Sequence, residues 1–582
     1  MSTLRPISVL IEKATDWDKD ERYMALNDMT QQLSRDDVKI TRQEEGRIVM
    51  VVLKALTDPN NDVKSAAVKC VGILVHKVEN SQIETIIHKL TELIRSDSKD
   101  DSALRDIYGI ALKTLIEQVD QRTGTDVAQL LAEKLLLGID MESADIKREC
   151  LSIMEQLLRR FGAKVGPQQE KIMKKVLRQL SVSGGDYRAV RKLSADVLGA
   201  LAVVSSDSLL DMLVKTILGL IDKTKVGDVS EMMVEDSSGS SDTRSLIQTI
   251  GTISRTVGHR LSRHLKKLVP FLLTVIGDVS SSEEQDEDQD MTVLNEVREL
   301  CFTGLESFVK CCPDQITPHL ISNETEGTKG ILNVAMAYLQ YDPNYVGDDE
   351  DDEDMEMSDD EYGDDYDDDD YGDDEDDDTS WKVRRAASHV IRAVIHARWA
   401  DMYVYMFENC VDELIKRFKE RKEAVRVDIM QCIVAIVDVT EMRKRIQAQA
   451  SRGISGGIVS RAEASFEAQM SGLRAKADAI ITAVVKCMGG SDKEIDTKSA
   501  ALDLTIKLCS ILESALPIEL YTSLMDELTH GLINDKYQQL RLAQMKLLRV
   551  LIKLNSFEAV QSSLNKTAPT DKSNIFSITI AA

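Results

Sequence analysis

The apolar positions of this 582-residue chain repeat with the period of an α-helix. A β-branched or aliphatic residue precedes Lys or Arg, and apolar residues follow seven and eleven positions later, as in Val63-Lys64 with Cys70 and Leu74. Two helical turns take about 7.2 residues and three about 10.8, so these positions share one face of an amphipathic helix. Ten copies of the pattern predict ten such helices. The copies start at Val63, Leu104, Ile146, Val190, Thr243, Val297, Val383, Val425, Thr497 and Leu540.

The spacing of the copies indicates a repeat of two helices. The first four copies lie 41, 42 and 44 residues apart, within the ~40–47 residues of HEAT-type units. The segment before a copy usually supplies the other helix, as Gly46 to Leu56 does ahead of the turn TDPNND. A degenerate copy at Glu21-Arg22 adds an amino-terminal repeat. We predict an all-α fold, an α-solenoid of about ten to eleven HEAT-type helical hairpins stacked into a superhelix.

One long step between copies, from Val297 to Val383, contains a run of acidic residues. Of the 31 residues from Asp348 to Asp378, 23 are Asp or Glu and none is Lys or Arg. The formal charge of the chain is −27 and would be −4 without this tract. Charge repulsion and the lack of apolar surface predict a disordered acidic loop, with Thr379 or Ser380 as the N-cap of the resumed helix. The loop is either a solvated spacer or an electrostatic arm that attracts or masks a basic surface.

These features divide the chain into four parts. We expect amino-terminal HEAT repeats at 1–347, the acidic loop at 348–378, further repeats at 379–555 and a polar tail at 556–582. The run SRGISGGIVSRAEAS lacks the pattern of a phosphate-binding loop and predicts a flexible insert near 441–475.

Composition restricts where the protein works. Nine cysteines without a CxxC pair indicate reduced thiols. No run reaches the ~18 apolar residues of a membrane span. We expect a soluble protein of the cytoplasm and nucleus, without membrane association.

The residues that catalysis or metal binding would need are scattered. The eight histidines form no HExxH motif and no Cys–His cluster at zinc spacing. Serine, histidine and aspartate form no recognisable nucleophilic arrangement. We therefore predict no enzymatic activity, no metal and no cofactor. An acidic chain without a basic, aromatic-rich domain also argues against nucleic-acid binding.

The Lys or Arg that opens each copy has two interpretations. The favoured one is a structural ladder, in which each cation pairs with an acidic residue of the adjacent turn. The other is a partner-binding role, since second helices usually line the concave side, although a solvated helix face is the simpler explanation of a basic stretch. The candidate partner-binding residues are Arg255, His259, Arg260, Lys266, Lys267, Arg384, Arg385, Lys416, Arg417 and Arg421. Ser358, within MSDDE, is a candidate phosphorylation site.

Several segments resemble the amino-terminal half of the cullin-associated, neddylation-dissociated protein family. Their order and spacing match across nearly the whole chain to about residue 440, and more loosely to about 555. The combination of YDPNY, an acidic insert and SWKVRRAA is specific. The other segments are DKDERYMALNDMTQQL (18–33), AVKCVGILV (67–75), TRSLIQTIGTISRTVGHR (243–260), ESFVKCCPDQITPH (306–319) and LIKRFKERKEAV (414–425).

The resemblance implies a HEAT solenoid that wraps the unmodified cullin scaffold, with its RING subunit, of cullin–RING ubiquitin ligases. It further implies a non-enzymatic regulator that blocks cullin neddylation, with substrate-receptor exchange in the full-length family, and a monomer before binding. Family members are about twice as long, and the half that displaces adaptors is absent from this sequence. We therefore expect cullin binding without unaided displacement of adaptors.

Two other classes of HEAT protein stay open on the sequence. A transport receptor of the importin-β type also combines a HEAT solenoid with an acidic loop, and binding to Ran-GTP would distinguish it. A phosphatase-type scaffold would have a stricter period of about 39–40 residues.

Overall fold

A computed structural model describes most of the chain. Its described residues form α-helices and short 3₁₀ helices, without a β-strand among them, which confirms the all-α prediction. Two compact units, Met1–Leu261 and Ser262–Ala582, divide the chain. The described ranges are 6–96, 98–182, 184–223, 238–277, 291–322, 329–342, 379–450, 458–489 and 494–554.

The first unit consists of helical hairpins in which an odd-numbered helix comes first and an even-numbered helix second. The second helices pack on one another in the order α2, α4, α6, α8, α10 and α12, and the first helices α1 to α9 do the same. The helices are α1 (Ile7–Lys13), α2 (Lys19–Leu33), α3 (Arg42–Ala55), α4 (Asn61–Leu74), α5 (Asn80–Ile94), α6 (Lys99–Gln118), α7 (Gly124–Ile139), α8 (Ala144–Phe161), α9 (Gln169–Gln179), α10 (Arg188–Val204), α11 (Asp207–Lys223) and α12 (Ser238–Val257).

The second unit continues the same arrangement. Its second helices α14, α17, α19, α21 and α23 pack in that order, and a short α15 follows α14. The helices are α13 (Leu265–Ile276), α14 (Met291–Cys311), α15 (Pro313–Ile316), α16 (Ile331–Tyr338), α17 (Ser380–Asn409), α18 (Val411–Lys416), α19 (Glu423–Ala450), α20 (Ile458–Met488), α21 (Ile495–Leu512), α22 (Ile518–Asn534) and α23 (Gln538–Leu554).

Local sequence explains where several helices begin. The side chain of Asn60 accepts hydrogen bonds from the amides of Asp62 and Val63 at the start of α4. Thr41 and Glu44 form a reciprocal capping box at the start of α3. Such caps satisfy amide donors that have no partner within the helix.

The repeat prediction is confirmed. All ten copies of the sequence pattern, and the degenerate copy in α2, lie in second helices. Val63, Cys70 and Leu74 are fully buried. The fold is thus a HEAT-type arrangement of eleven hairpins in the described residues.

The copy that begins at Thr243 in α12 departs from the pattern, because the position eleven residues later is the polar Ser254. This residue also lies in the core. Ser254 is 1% exposed, and its hydroxyl donates to the Gly251 carbonyl at 2.8 Å. The hydrogen bond within the helix satisfies the hydroxyl, which allows a serine in a core position.

The segment expected to hold a flexible insert is largely helical. Residues 441–450 end α19, and residues 458–475 belong to α20. These two helices have 28 and 31 residues, whereas α21 has 18 and α22 has 17. Residues 451–457 lie outside the described residues.

The acidic loop at 348–378 and the tail at 556–582 also lie outside the described residues. The boundary predicted after the acidic loop matches the structure, since α17 begins at Ser380 after Thr379. The Thr379 side chain does not cap the helix. It instead accepts a hydrogen bond from Asn295 Nδ2 at 3.1 Å.

Candidate functional site

Two of the cations that open copies of the pattern bond to the end of the preceding helix of the same hairpin. Arg105 Nε donates to the Ile94 carbonyl at 3.0 Å, and Arg298 Nε donates to the Ile276 carbonyl at 3.2 Å. Carbonyls at the carboxyl end of a helix have no partner within it and carry partial negative charge. These two cations therefore link the first and second helices of their hairpins by hydrogen bonds.

Other cations that open copies of the pattern join neighbouring repeats through carboxylates. The Arg22 guanidinium donates two hydrogen bonds to Asp58, at 2.6 and 2.9 Å. Arg426 Nη2 lies 2.7 Å from Glu494, in the turn before the next second helix. These pairs confirm the structural ladder at these positions.

Arg384 is the most enclosed of the ladder cations. Its side chain is 0% exposed. Nη1 donates to the Tyr341 carbonyl and to Ser380 Oγ, both at 2.8 Å. Nη2 donates to Glu420 at 3.0 Å. The candidate assignment of Arg384 as a partner-binding residue is therefore wrong, because its guanidinium is used inside the chain.

A second buried network lies beside Arg384. Tyr341 Oη accepts from Arg298 Nη1 and donates to Asn295 Oδ1, both at 3.0 Å. Asn295 in turn contacts Thr379. Tyr341 and Thr379 lie close to the two ends of the range 343–378, outside the described residues. The second network thus brings described residues on both sides of that range into contact with α14.

The basic stretch 255–267 belongs partly to the first unit and partly to the second. In the first unit, Arg255 and His259 are exposed. Arg260 instead donates to Asp207 Oδ1 at 2.9 and 3.0 Å and to the Ser205 carbonyl at 2.7 Å. Arg260 therefore stabilises the connection between α10 and α11.

In the second unit, Lys266 and Lys267 are exposed in the first turn of α13. Burial, with a contribution from Lys266, lowers the pKa of His319 below its ordinary value. Neither lysine has an ion pair within the described part of the chain. Both are available for contact with an acidic partner.

The other candidates mostly pair with acidic residues of their own chain. Arg385 Nε lies 2.7 Å from Asp428, and hydrogen bonds from His389 and Arg385 lower the pKa of this carboxyl although burial opposes them. Arg421 lies 2.8 Å from Asp342. All of these are on second helices or in hairpin turns.

Lys416 and Arg417 lie 3.5 and 3.8 Å from Glu413. Lys416 lines a cavity of about 560 Å³ together with Phe418, Lys419 and Lys486. Lys486, which was not among the sequence candidates, is near the end of a first helix, as Lys416 is in the preceding repeat.

Catalytic and metal-binding chemistry has little support among the described residues. No cluster of three or more His, Cys, Asp or Glu side chains there has a geometry that holds a metal ion. All nine cysteines are free. Burial raises the pKa of Cys70 to about 11 and that of Cys150 to about 12. These thiols are core residues rather than nucleophiles.

Ser358 lies outside the described residues. In the described part of the chain, none of the helices combines the length and apolar character that a membrane crossing requires.

Comparison with known proteins gives clear sequence relatives, although no family model matches the chain. It is 34% identical over 442 residues to cullin-associated NEDD8-dissociated protein 1 of Drosophila melanogaster, with 75% of this chain and 32% of the relative covered. It is 31% identical over 518 residues to protein 2 of Mus musculus, with coverages of 88% and 38%. It is 28% identical over 592 residues to protein 1 of Dictyostelium discoideum, with coverages of 95% and 41%. The chain thus spans from a third to two fifths of these relatives' length.

Comparison with solved structures supports the fold alone. The crystal structure of the karyopherin Kap121p has a TM-score of 0.54 to this chain at 11% identity. The similarity covers 98% of this chain and 48% of that one. At such low identity, the likeness confirms a karyopherin-like helical-repeat architecture without indicating a shared function.

Proposed function

Because this chain is related by sequence to the cullin-associated NEDD8-dissociated proteins, we propose that it binds the cullin scaffold of ubiquitin ligases as a non-enzymatic regulator. The sequence similarity across most of the chain is the observation that carries the proposal. The proposed place of action is the cytoplasm and nucleus.

We propose that the partner is unmodified cullin with its RING subunit. Stacked helical hairpins present an extended surface of second helices, which suits an elongated protein partner. Binding across the cullin end would cover the lysine that receives the ubiquitin-like modifier. The chain and the modifier would then exclude each other, and neddylation would be blocked without a chemical step.

Exposed cations on first helices supply an electrostatic attraction in addition to the contacts of the second helices. Lys266 and Lys267 in α13, with Lys416 beside the cavity at the end of α18, have exposed side chains. Charges at the rim of an interface chiefly change the association rate and its salt dependence. We therefore assign these lysines a steering role toward acidic surface on the cullin.

The test is co-elution on a sizing column of the purified chain with unmodified or modifier-conjugated cullin–RING complex. Selective co-elution with the unmodified complex is expected. The variant Lys266→Glu/Lys267→Glu should associate about tenfold more slowly at low salt, whereas Lys54→Glu, at an exposed lysine of α3, should associate normally. Failure to bind either complex would overturn the proposal, and binding to Ran-GTP instead would favour a transport receptor.

A second experiment addresses receptor exchange. We propose that the chain binds cullin but does not displace adaptor proteins without further sequence, since it spans less than half of its relatives' length. Fluorescence from a labelled adaptor on a preassembled ligase should stay constant when the chain is added. Release of the adaptor at a rate that increases with chain concentration would contradict this prediction.

A further inference from the structure

The carboxyl-terminal part of α19 carries apolar side chains on its surface. Met442 is 62% exposed and Ile446 is 54% exposed. Residues four apart on a helix lie next to each other on one face. Helices α19 and α20 are both longer than α21 and α22, which follow them. Met442 and Ile446 lie in the additional length of α19.

Met442 and Ile446 line a cavity of about 460 Å³ between α17, α19 and α20. Trp399 and Phe466 supply further apolar lining. Trp399 is 3% exposed, and its Nε1 donates to Gln469 at 3.1 Å. Its ring also contacts Phe407 edge-to-face, with centroids 5.5 Å apart. The floor of the cavity is therefore fixed by packing and by a hydrogen bond.

The lining also includes the basic side chains of His396, Arg398 and Arg443, together with Asp401 and Gln447. The backbone of α17 departs from helical geometry at Arg398, with φ −134° and ψ 25°. Arg398 pairs with Asp314 at 2.7 Å and with Asp401. Its Nε is nevertheless buried without a hydrogen-bond partner in the described residues. This donor lacks the acceptor that buried polar groups normally have.

The charges at the cavity favour an anionic ligand. Arg443 forms no ion pair with any described residue. Burial, together with the nearby Arg392, lowers the pKa of His396 below its ordinary value, so its ring is neutral at physiological pH. The acidic Asp401 is already paired with Arg398. A carboxylate entering the cavity would thus meet an available guanidinium and an unsatisfied donor.

We propose that this cavity, the α17–α20 pocket, binds a peptide segment of a partner protein that carries a bulky apolar side chain next to a carboxylate. The volume is within the usual range of ligand pockets, about 300–1,000 Å³. The apolar side chain packs against Trp399, Met442 and Ile446, and the carboxylate accepts hydrogen bonds from Arg443 and Arg398. This site is independent of the proposed cullin binding.

The chain contains one rival occupant of its own. The acidic tract at 348–378 includes Met355, Met357 and Tyr362 among its carboxylates, so it has the same chemistry as the proposed ligand. A chain from which 348–378 has been deleted separates the two occupants.

The test measures the fluorescence anisotropy of a short fluorescein-labelled peptide with a central Phe-Asp pair in a Gly and Ser background. We expect saturable binding to the full chain. Met442→Gln/Ile446→Gln and Arg443→Glu should each weaken the affinity about tenfold, which is about 1.4 kcal/mol. Both apolar changes are at exposed positions, and Leu542→Gln, at a residue 52% exposed in α23, is the matched control. Replacing Phe by Ser, or Asp by Lys, in the peptide should abolish binding.

Three results would overturn the proposal. One is the absence of binding to both the full and the deleted chain. Another is equal affinity of the peptide for the pocket variants and the Leu542→Gln control. The third is binding only after removal of 348–378, which would identify the acidic tract as the occupant and exclude a partner protein at this site.

Discussion

Arg384 illustrates how one residue can join two repeats. It donates hydrogen bonds to the Tyr341 carbonyl, just after α16, and to Glu420 of the next hairpin. Glu420 is only 7% exposed, so removal of the cation would leave a buried carboxylate without its partner. Such a change lowers the free energy of unfolding substantially, because the remaining buried carboxylate has lost both its hydration and its partner.

We predict that Arg384→Met lowers the free energy of unfolding by about 3–5 kcal/mol. Urea denaturation followed by circular dichroism should show the lower midpoint. Arg385→Met, which removes a half-exposed partner of Asp428, is the matched control and should change stability by about 1 kcal/mol or less. Adding Glu420→Leu to Arg384→Met should recover part of the loss. Equal midpoints for the two single variants would contradict the argument.

A pH effect on stability is expected from His319. Its pKa in the folded chain lies below the ordinary 6.5, mainly because of burial. Between the two pKa values the unfolded chain binds more protons, so stability falls as pH falls through this window. Urea midpoints measured from pH 7.5 down to 5 should decline less in His319→Gln than in the unchanged chain. His88→Gln, at an exposed histidine, is the matched control for the substitution itself.

The ladder cations show how far residue-level sequence reasoning extends. Their recurrence predicted a structural role, and the contacts of Arg22, Arg384 and Arg426 confirm it. The sequence also contained the reason to exclude Arg384 from the candidates, since it occupies the ladder position and Arg385 does not. The acceptors were not predictable in the same way, because loop carbonyls such as that of Tyr341 have no sequence signature.

At the scale of elements, two helical glycines show why helix propensity alone does not determine stability. A Cβ at Gly46 in α3 would meet no atom within 4 Å, whereas a Cβ at Gly472 in α20 would lie 2.7 Å from the Phe407 ring. Alanine is favoured over glycine inside a helix by about 1 kcal/mol. At Gly472 the close approach of α17 opposes this gain.

We predict that Gly46→Ala raises the free energy of unfolding by about 0.5–1 kcal/mol. Gly472→Ala should lower it by about 1–3 kcal/mol, the usual range for overpacking a core. The two urea midpoints should therefore move in opposite directions. Stabilisation by Gly472→Ala would show that α17 and α20 separate at little cost.

Helices α19 and α20 show where element-level prediction was limited. The apolar pattern located the second helices because each must bury one face, and α4, α17 and α23 all follow it. Glycine and serine near 451–457 suggested a long flexible insert, yet the residues on both sides extend α19 and α20. The α17–α20 pocket depends on that extension and on the kink at Arg398, neither of which has a periodic signature.

At the scale of the whole molecule, described residues on either side of the acidic tract share hydrogen-bond partners. Tyr341 Oη and Thr379 both contact Asn295, and Arg384 Nη1 donates to both the Tyr341 carbonyl and Ser380 Oγ. Tyr341 and Thr379, which lie on either side of the 36-residue range 343–378, are thus held close together by their shared contacts. A much shorter connection can join the same two positions.

Deletion of 348–378 separates the structural from the electrostatic role of the tract. The remaining five residues, 343–347, still connect the two ends. The loop-closure entropy lost on folding is smaller for a shorter loop, by about 0.6 kcal/mol for each halving of its length, so we predict an unfolding midpoint equal to or slightly above that of the unchanged chain. Association with a cullin–RING complex should be slower and less dependent on salt, because 23 carboxylates are removed. Stopped-flow measurements at several salt concentrations test this. Unchanged kinetics with an unchanged midpoint would identify the tract as a spacer, and a lower midpoint would show that it stabilises the fold.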